Sequence, residues 1–579
     1  MASTETARGA KPPQAPAPHA HAWLRRYPKD VDWALAAEPR PLFSLIETAA
    51  AEHPDRPCTN FLGHSLTYRE IADLVDRAAA GLQALGVVKG TKVGLFLPNS
   101  PTFIVYYFAV LKAGGVVVNY NPLYSLEELT FQVKDSETEL MVTLDLKILF
   151  EKVERLLTGK VLKGAVVCSF PALLPATKAV LFKLFKSKEL ARPKTSPARD
   201  IIRLEAEVLT DPGTFTPVPI DPDTDIAVLQ YTGGTTGTPK GAMLTHANVY
   251  LNVEQITAWA PGLVPGEEKV LAVLPFFHVF AMTVVLNLGV RIAAEQILMP
   301  RFTLAEALDL ITKHRPTLMP GVPTLFNALL NHPKIKSYDL TSLKFCISGG
   351  AALPLEVKER FEAVTSCALV EGYGLSEASP VVTCNPLNGP VKSGSIGLPL
   401  PATIVSLRDL TDPSREVAQG ERGEVCVAGP QVMKGYWNRP QETQDQFVGE
   451  FVRTGDVGVM DEEGFFFIVD RIKDLIICSG YNVYPRRVEE ALYEHPAVEE
   501  VIVIGIADKY RGEAPKAFVK LKEGEDVTKA ILMKHLEAKL SKIEMPADIV
   551  FREKLPRTMI GKLSKKELKE EEAKAKSGA

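Results

Sequence analysis

The chain lacks the marks of a secreted, fibrous or nucleic-acid-binding protein. Its 579 residues hold seven cysteines, scattered from Cys58 to Cys478 without a CxxC pair. This excludes a disulfide scaffold and favours a reduced, cytoplasmic chain with small buried thiols. With 66 Lys and Arg against 70 Asp and Glu, the net charge is −4. No global field therefore gathers nucleic acid or anionic lipid, although local basic patches remain compatible with this balance. Apolar residues at 46% also exclude whole-chain disorder.

Membrane and targeting signals are equally sparse. The segment 1–40 is rich in Pro and Ala near its start and has no apolar core, so we expect a disordered arm and not a signal peptide. One uncharged run, 270–290, is long enough to span a bilayer. Because Pro275, His278 and Asn287 interrupt it, the pattern favours a buried strand, a turn at Pro275 and a buried helix.

Residues 173–190 form a different pattern. Leu181, Leu184 and Phe185 recur at helical spacing, and four lysines surround them: Lys178, Lys183, Lys186 and Lys188. This predicts a short basic amphipathic helix that is able to lie on an anionic bilayer. A surface helix packed on its own domain is the alternative, and the sequence leaves both open.

Helix and strand patterns alternate from residue 41 onward, which predicts an α/β domain with a largely parallel sheet. Six prolines between 190 and 224 indicate an irregular linker or surface excursion. After about residue 395 short strands and turns predict a small β-rich unit, and a new α/β block begins after Asp470.

The strongest local signal is YTGGTTGTPKGAM (231–243), a Gly- and Thr-rich loop between two predicted strands. Glycines let backbone N–H groups turn toward one anion, while hydroxyls and a lysine complete a polyphosphate cradle. The predicted cradle comprises Thr232, Gly233, Gly234, Thr235, Thr236, Gly237 and Lys240. It is not a Walker A loop, because Pro239 precedes the lysine and Gly241 follows it, so a P-loop NTPase is disfavoured.

Together with six further motifs, this loop resembles the adenylate-forming superfamily of acyl-CoA synthetases, luciferases and peptide-synthetase adenylation domains. The further motifs, in the family's order, are LPFFHVF (274–280), SGGAAL (348–353), EGYGLSEASP (371–380), RTGDVG (453–458), DRIKDLIICSGYNVYPRRVE (470–489) and PRTMIGKL (556–563). The resemblance covers about residues 40–568 and implies a multi-domain α/β fold. It implies a large N-terminal body at 41–472, made of two α/β subdomains plus a β-rich unit, and a small mobile α+β domain at 473–579.

The resemblance also implies an ATP site. Thr232 and Glu377 would hold Mg²⁺, Tyr373 would stack on adenine, Asp456 would accept hydrogen bonds from the ribose hydroxyls, and Arg471 would reach the ribose and phosphates. Further nucleotide contacts are implied for Gly350, Ala351, Gly374 and Ser376.

For catalysis, the resemblance implies that Lys562 bridges the carboxylate and the α-phosphate during adenylation. Lys473 matches the hinge about which the small domain rotates, and Gly480 and Tyr481 would then face the pantetheine arm of coenzyme A. His278 stays ambiguous between a position near the reacting carboxylate and a satisfied core histidine.

The block 449–492 looks most like bacterial long-chain fatty acid–CoA ligases, and so do 241–255 and 23–31. The implied reaction converts a fatty acid and ATP to acyl-AMP and pyrophosphate, and then, with coenzyme A, to acyl-CoA and AMP. Some family members carry a Trp gate just after His278, where this chain has Phe280, Ala281 and Met282. A carrier-protein acceptor, an aryl or medium-chain acid, a non-catalytic fatty-acid-binding or uptake protein, a homodimer and a peripheral position on the inner membrane face all stay open.

Overall fold

The computed structural model describes residues 21–35, 37–210, 213–232, 239–479, 481–508, 510–558 and 561–577. Its strands are β1 Pro57–Phe61, β2 His64–Thr67, β3 Lys92–Phe96, β4 Val116–Asn119, β5 Leu140–Leu144, β6 Gly164–Cys168, β7 Ile202–Leu204, β8 Ile226–Thr232, β9 Lys240–Thr245, β10 Lys269–Ala272, β11 Glu295–Leu298, β12 Phe345–Ser348, β13 Ala368–Gly374, β14 Val381–Cys384, β15 Leu398–Pro399, β16 Ile404–Arg408, β17 Gly423–Ala428, β18 Gly435–Tyr436, β19 Phe447–Val448, β20 Phe451–Met460, β21 Phe466–Arg471, β22 Ile476–Cys478, β23 Tyr481–Val483, β24 Val498–Asp508, β25 Gly512–Leu521 and β26 Asp548–Phe551.

The helices are α1 Ser44–Glu52, α2 Tyr68–Ala84, α3 Pro101–Lys112, α4 Leu126–Ser136, α5 Lys147–Thr158, α6 Ala176–Phe185, α7 Glu205–Thr210, α8 His246–Trp259, α9 Val279–Ala281, α10 Leu288–Arg291, α11 Leu304–His314, α12 Pro323–Leu330, α13 Leu355–Thr365, α14 Pro440–Gln446, α15 Pro485–Tyr493, α16 Lys529–Glu537 and α17 Lys565–Ser577. A π-helical turn, Met282–Asn287, joins α9 to α10.

The first large sheet has eight strands in the order β18-β9-β8-β4-β3-β5-β6-β7. Its strands from β8 to β7 pair in parallel, whereas β9 and β18 add antiparallel edges. Strand β4 is buried along its whole length, which accounts for its three successive valines, Val116, Val117 and Val118. Helix α2 begins with a reciprocal capping box between Thr67 and Glu70 and presents its apolar face to this core.

A second layer contains the order β10-β11-β1-β2 and the order β12-β13-β14-β15. The two groups meet at Leu318, whose backbone bridges both Val270 and Phe345 in parallel. Strands β16, β17, β19, β20 and β21 form a separate antiparallel sheet, which is the small β-rich unit expected from the sequence.

Strands β22–β26 form the sheet of the C-terminal domain. The apolar core of the body extends to Ile468, and the separate cores of the C-terminal domain begin with Ile476. The expected α/β fold, with a large body and a small C-terminal domain, is confirmed. The change of sheet between Arg471 and Ile476 supports the boundary expected at 472–473.

Two boundaries expected from the sequence are wrong. The arm assigned to 1–40 includes residues that pack on the body: Trp23 is 4% exposed and contacts Phe466, and the hydroxyl of Tyr27 donates to the carbonyl of Pro399 at 3.0 Å. Residues 1–20 lie outside the described part. The excursion assigned to 190–224 contains β7 and α7, and β7 extends the parallel sheet. A strand of three residues among prolines is too short to produce a recognisable pattern.

The uncharged segment 270–290 is folded into the body as expected. Strand β10 is followed by a turn at Pro275 and by the helical segment from α9 to α10, whose residues up to Val290 are almost all buried. Within the described residues, no helix combines the length and apolar character that crossing a membrane requires. All seven cysteines are buried and free, as the sequence predicts.

Candidate active site

A cavity of about 1890 Å³ lies between the body and the C-terminal domain, and residues of both line it. The candidate residues on its wall are Thr232, Lys240, His278, Gly350, Ala351, Tyr373, Gly374, Ser376, Glu377, Asp456, Arg471, Lys473 and Lys562. Side chains more than 300 residues apart in the sequence therefore face one space. The sequence motifs converge on this space because the ends of several strands open toward it.

Asp456 is the centre of a charged group on the cavity wall. Strands β20 and β21 pair with Asp456 directly opposite Arg471, and the Nε of Arg471 donates to Oδ1 of Asp456 at 2.9 Å. The hydroxyl of Tyr373 donates to Oδ2 at 2.6 Å. Burial and the neighbouring carboxylate raise the pKa of Tyr373, which therefore stays a neutral donor. Both carboxylate oxygens are thus oriented, and about half of the Arg471 side chain remains exposed to the cavity.

Lys562 is brought into the same space by the C-terminal domain. Its side chain crosses Gly350, where a Cβ would lie 2.2 Å from Cε of Lys562; Gly350 also has a φ of +81°. This backbone conformation favours glycine, and any Cβ here would displace the end of the Lys562 side chain from its observed position. Desolvation, followed by repulsion from Arg471, lowers the pKa of Lys562 to about 8 despite the opposing effect of Asp456. The ammonium is therefore poised to gain from an anionic ligand.

The loop that carries Lys562 is tied to the body by Thr324, a residue that the sequence reasoning missed. Its hydroxyl donates to the carbonyl of Gly561 at 2.9 Å, across the domain boundary. Within the loop, the N–H of Lys562 donates to the hydroxyl of Thr558 at 3.2 Å, and the N–H of Thr558 donates to the carbonyl of Lys562 at 2.7 Å. The turn is thus held internally as well as against the N-terminal end of α12.

Tyr436 is the second residue that was missed. Its hydroxyl donates to Oε1 of Glu377 at 2.7 Å, and Nζ of Lys240 lies 4.9 Å from the centre of its ring. Lys240 pairs with Thr232 across β8 and β9, so one chain of contacts joins the predicted metal ligands to the lysine of the phosphate loop. The short GYW sequence at 435–437 is the only signal, and it is uninformative until β18 is known to pair with β9.

The side-chain oxygens of Glu377 and Thr232 are of the kind that binds Mg²⁺. A glutamate carboxylate and a threonine hydroxyl are hard oxygen ligands, and Mg²⁺ commonly takes few protein ligands and completes its shell with phosphates and water. Among the described residues, no group of three or more His, Cys, Asp or Glu side chains is arranged so that it could hold a metal ion. Glu377 and Thr232 thus suit a metal that is shared with a polyphosphate.

His278 lies on the cavity wall before α9, where its Nδ1 accepts a hydrogen bond from the N–H of Phe280 at 3.3 Å. Burial first, and then the positive charge of Lys562, lower its pKa to about 3. It is therefore neutral at ordinary pH. Its place beside Lys562 favours the position near the reacting carboxylate over that of a core histidine.

Part of the cavity wall is apolar. Phe277, Val279, Phe280 and Val284, all from the uncharged segment, contribute to it, so this segment lines part of the cavity. Further apolar wall comes from Ile256, Trp259, Ala260, Leu387, Ile396 and Leu400. Of the three residues that follow His278 at the expected place of a Trp gate, Phe280, Ala281 and Met282, the first is part of this wall.

Not every candidate residue is placed at the site. Gly233, Gly234, Thr235, Thr236, Gly237 and Gly480 lie outside the described residues. Tyr481 is 64% exposed and is not among the residues that line the cavity. Lys473 faces the cavity next to Arg471, and burial, with the charge of Arg471, lowers its pKa.

Comparison with known proteins agrees with this geometry. The AMP-binding enzyme family matches residues 46–437, and the C-terminal domain of AMP-binding enzymes matches residues 487–562.

A long-chain-fatty-acid–CoA ligase of Bacillus subtilis (strain 168) is 45% identical over 556 residues, covering 95% of this chain and 98% of that protein. One from Escherichia coli O157:H7 is 37% identical with the same coverage. The crystal structure of ATP-bound MatB from Rhodopseudomonas palustris is 29% identical, covers 92% of this chain and 99% of that chain, and has a TM-score of 0.79. The chain belongs to the AMP-binding enzyme family, and both of the family's domains are present in it.

Proposed function

We propose that this protein is an ATP-dependent long-chain fatty acid–CoA ligase that forms AMP. The observation that carries the proposal is the convergence of Lys562, Arg471 and Asp456 on a cavity that also has an apolar stretch of wall. The similarity to long-chain-fatty-acid–CoA ligases over 95% of the chain supports the class of acid.

In the first half-reaction a carboxylate oxygen attacks the α-phosphorus of ATP, and pyrophosphate leaves. Negative charge must be accommodated between two anions that repel each other. Lys562 and Arg471 supply positive charge at this point, within a cavity that strengthens electrostatic interactions. Asp456, oriented by Tyr373 and Arg471, is suited to accept hydrogen bonds from both ribose hydroxyls.

Mg²⁺ bound by Glu377 and Thr232 would neutralise phosphate charge and orient the leaving pyrophosphate. Tyr436 would hold the carboxylate of Glu377 in place through its hydroxyl. Lys240 and the loop 233–238 would bind the phosphates beside it.

The second half-reaction needs the thiol of coenzyme A to reach the acyl carbonyl and displace AMP. The loop of Lys562 occupies one side of the cavity, so the C-terminal domain has to move before a thiol arrives from that side. Lys473, in the short turn between β21 and β22, is the proposed hinge. Rotation there would withdraw Lys562 and bring Gly480 and Tyr481 to the pantetheine arm.

The cysteines indicate the compartment in which the proposed reaction takes place. We place the reaction in the cytoplasm because all seven thiols are free and buried.

The test is ATP consumption across straight-chain acids from acetate to eicosanoate and a set of aromatic acids, with and without coenzyme A. We expect AMP and pyrophosphate to form only with an acid, most rapidly with long chains, and acyl-CoA to appear when coenzyme A is added. ATP turnover that ignores every acid would contradict the proposal. Acyl-AMP that accumulates without thioester would instead indicate a carrier-protein acceptor, and no turnover would indicate a binding protein.

A further inference from the structure

We propose that helix α6 and the turn after it form a binding surface for anionic phospholipid bilayers. No side chain of α6 is buried, and its large apolar residues face outward: Val180 is 57% exposed, Leu181 53%, Leu184 68% and Phe185 80%. Scattered exposed apolar residues are ordinary, but four within two turns form a continuous patch. This proposal is independent of the proposed activity.

The opposite side of α6 is fixed to the body. Phe182 packs on Phe170 with ring centres 5.0 Å apart, and Phe170 packs in turn on the buried Phe61. The Nζ of Lys178 donates to the carbonyl of Leu62 at 2.7 Å. The helix is therefore held in place with its apolar side outward, and binding a bilayer would require no folding step.

The charge around the patch matches an anionic surface. At 100° per residue, Val180, Leu181, Leu184 and Phe185 span an arc that has Lys178 on one side and Lys183 on the other. The exposed Lys183 can reach headgroup phosphates while the apolar arc enters the acyl boundary, whereas Lys178 borders the arc on the side where it donates to the body.

The turn that follows adds Lys186, Lys188, Arg192 and Lys194, against Glu189 as the only acidic residue between 176 and 199. Glu189 is paired with Lys186 at 2.8 Å. The excess is local, since the whole chain carries a net charge of −4.

This charge favours lipid over a second copy of the chain as the occupant. A symmetric dimer through α6 would bring the same surface of both chains together and set lysine against lysine. Like charges in a partly desolvated contact repel, whereas anionic headgroups neutralise them and the bilayer buries the apolar arc.

The test is co-sedimentation of the full chain with vesicles of phosphatidylcholine alone and of phosphatidylcholine with about one third phosphatidylglycerol. We expect binding to the anionic vesicles that weakens as salt is added, and much weaker binding to the neutral ones. The double variants Leu184→Gln/Phe185→Gln and Lys183→Glu/Lys188→Glu should each lower the partition coefficient at least about tenfold. Val264→Gln/Ile531→Gln, which changes two exposed apolar residues elsewhere, should leave it unchanged.

Circular dichroism and thermal melting of each variant would show whether the fold is retained, because all substituted side chains are exposed. Equal binding to both vesicle types, or full binding by either α6 variant, would overturn the proposal. So would a concentration-dependent dimer that the α6 variants abolish, because the surface would then be a protein interface.

Discussion

At the residue scale, the protonation of Lys562 connects the geometry to the chemistry. A lysine that is desolvated beside Arg471 has its pKa lowered to about 8, so its charge is present below that pH and is lost as pH rises through it. ATP or a carboxylate in the cavity would restore the ammonium, because an anion favours the charged form.

The kcat/KM for ATP in acyl-adenylate formation should therefore fall above pH 8, by roughly tenfold per pH unit, since kcat/KM reports the free enzyme. Pyrophosphate release measured from pH 6 to 10 checks this. His278, with its pKa near 3, should add no further change in this range. In Lys562→Arg, whose side chain stays charged, residual activity should show no fall; an identical fall in this variant would contradict the assignment.

The hydrogen bond from Tyr436 to Glu377 leads to a separate prediction about the dependence of adenylation on Mg²⁺. Tyr436→Phe keeps the ring next to Lys240 and removes the hydrogen bond to Glu377. Residues that orient a metal ligand are worth about ten- to a hundredfold in metal affinity, so the Mg²⁺ concentration that gives half-maximal adenylation should rise by such a factor. Tyr27→Phe is the matched control, because its hydroxyl donates to the carbonyl of Pro399 and neither of these residues lines the cavity. Equal Mg²⁺ dependence in both variants would rule out the role.

The residues found from the sequence and those missed differ in a physical way. Asp456, Arg471 and Lys562 stand in motifs that are recognisable from neighbouring letters. Tyr436 and Thr324 act through contacts with residues 59 and 237 positions away, and such contacts depend on strand pairing and domain packing. Nothing in their own sequence surroundings carries that information.

At the element scale, the described residues around Lys562 and the start of α12 form a contact across the domain boundary. Thr324→Val preserves shape and removes the hydrogen bond to Gly561, which is worth about 1 kcal/mol, or roughly fivefold in the population of the docked loop. Adenylation should slow by about this factor, while thioester formation from a supplied acyl adenylate should be unchanged.

Both half-reactions measured in single-turnover experiments test this. Thr324→Ser retains the hydroxyl and should behave like the unaltered protein. A Thr324→Val variant that slows both steps equally would show that Thr324 supports only the fold.

Elements with a clear apolar pattern were predictable from the sequence. Elements that are defined mainly by their neighbours in the fold were not. The capped helix α2 and the buried strand β4 follow from hydrophobic pattern and capping residues. Strand β7 has three residues and is defined by its neighbour β6. The segment around Trp23 is polar and basic apart from its aromatic rings, so its packing on Phe466 and Gly464 appears only in three dimensions.

At the scale of the whole molecule, we expect adenylation to use the observed arrangement of the domains and thioester formation to need another. A covalent link between positions 324 and 561 would hold the two domains together and prevent the rotation. A Cβ on Gly561 would lie 3.5 Å from Oγ1 of Thr324, with no closer neighbour. The double variant Thr324→Cys/Gly561→Cys therefore places two thiols across the boundary at a distance that suits a disulfide, and the seven native thiols are buried. Because Gly561 has a φ of +83°, the cysteine strains the turn, so the oxidised variant is compared with its own reduced form, which carries the same strain.

When oxidised, this double variant should form acyl adenylate at near the rate of its reduced form and should lose most thioester formation, which dithiothreitol should restore. The single variant Thr324→Cys is the control and should not respond to oxidation. Undiminished thioester formation in the cross-linked protein would show that no rotation is needed.

The central claim is that Lys562 activates the carboxylate for adenylation and has no part in thioester formation. Lys562→Ala is the most direct test, with the two half-reactions measured separately: acyl-AMP formed from acid and ATP, and acyl-CoA formed from supplied acyl-AMP and coenzyme A. The account predicts that the first falls by several orders of magnitude and that the second is retained. Equal loss of both half-reactions, or adenylation that persists without Lys562, would contradict it.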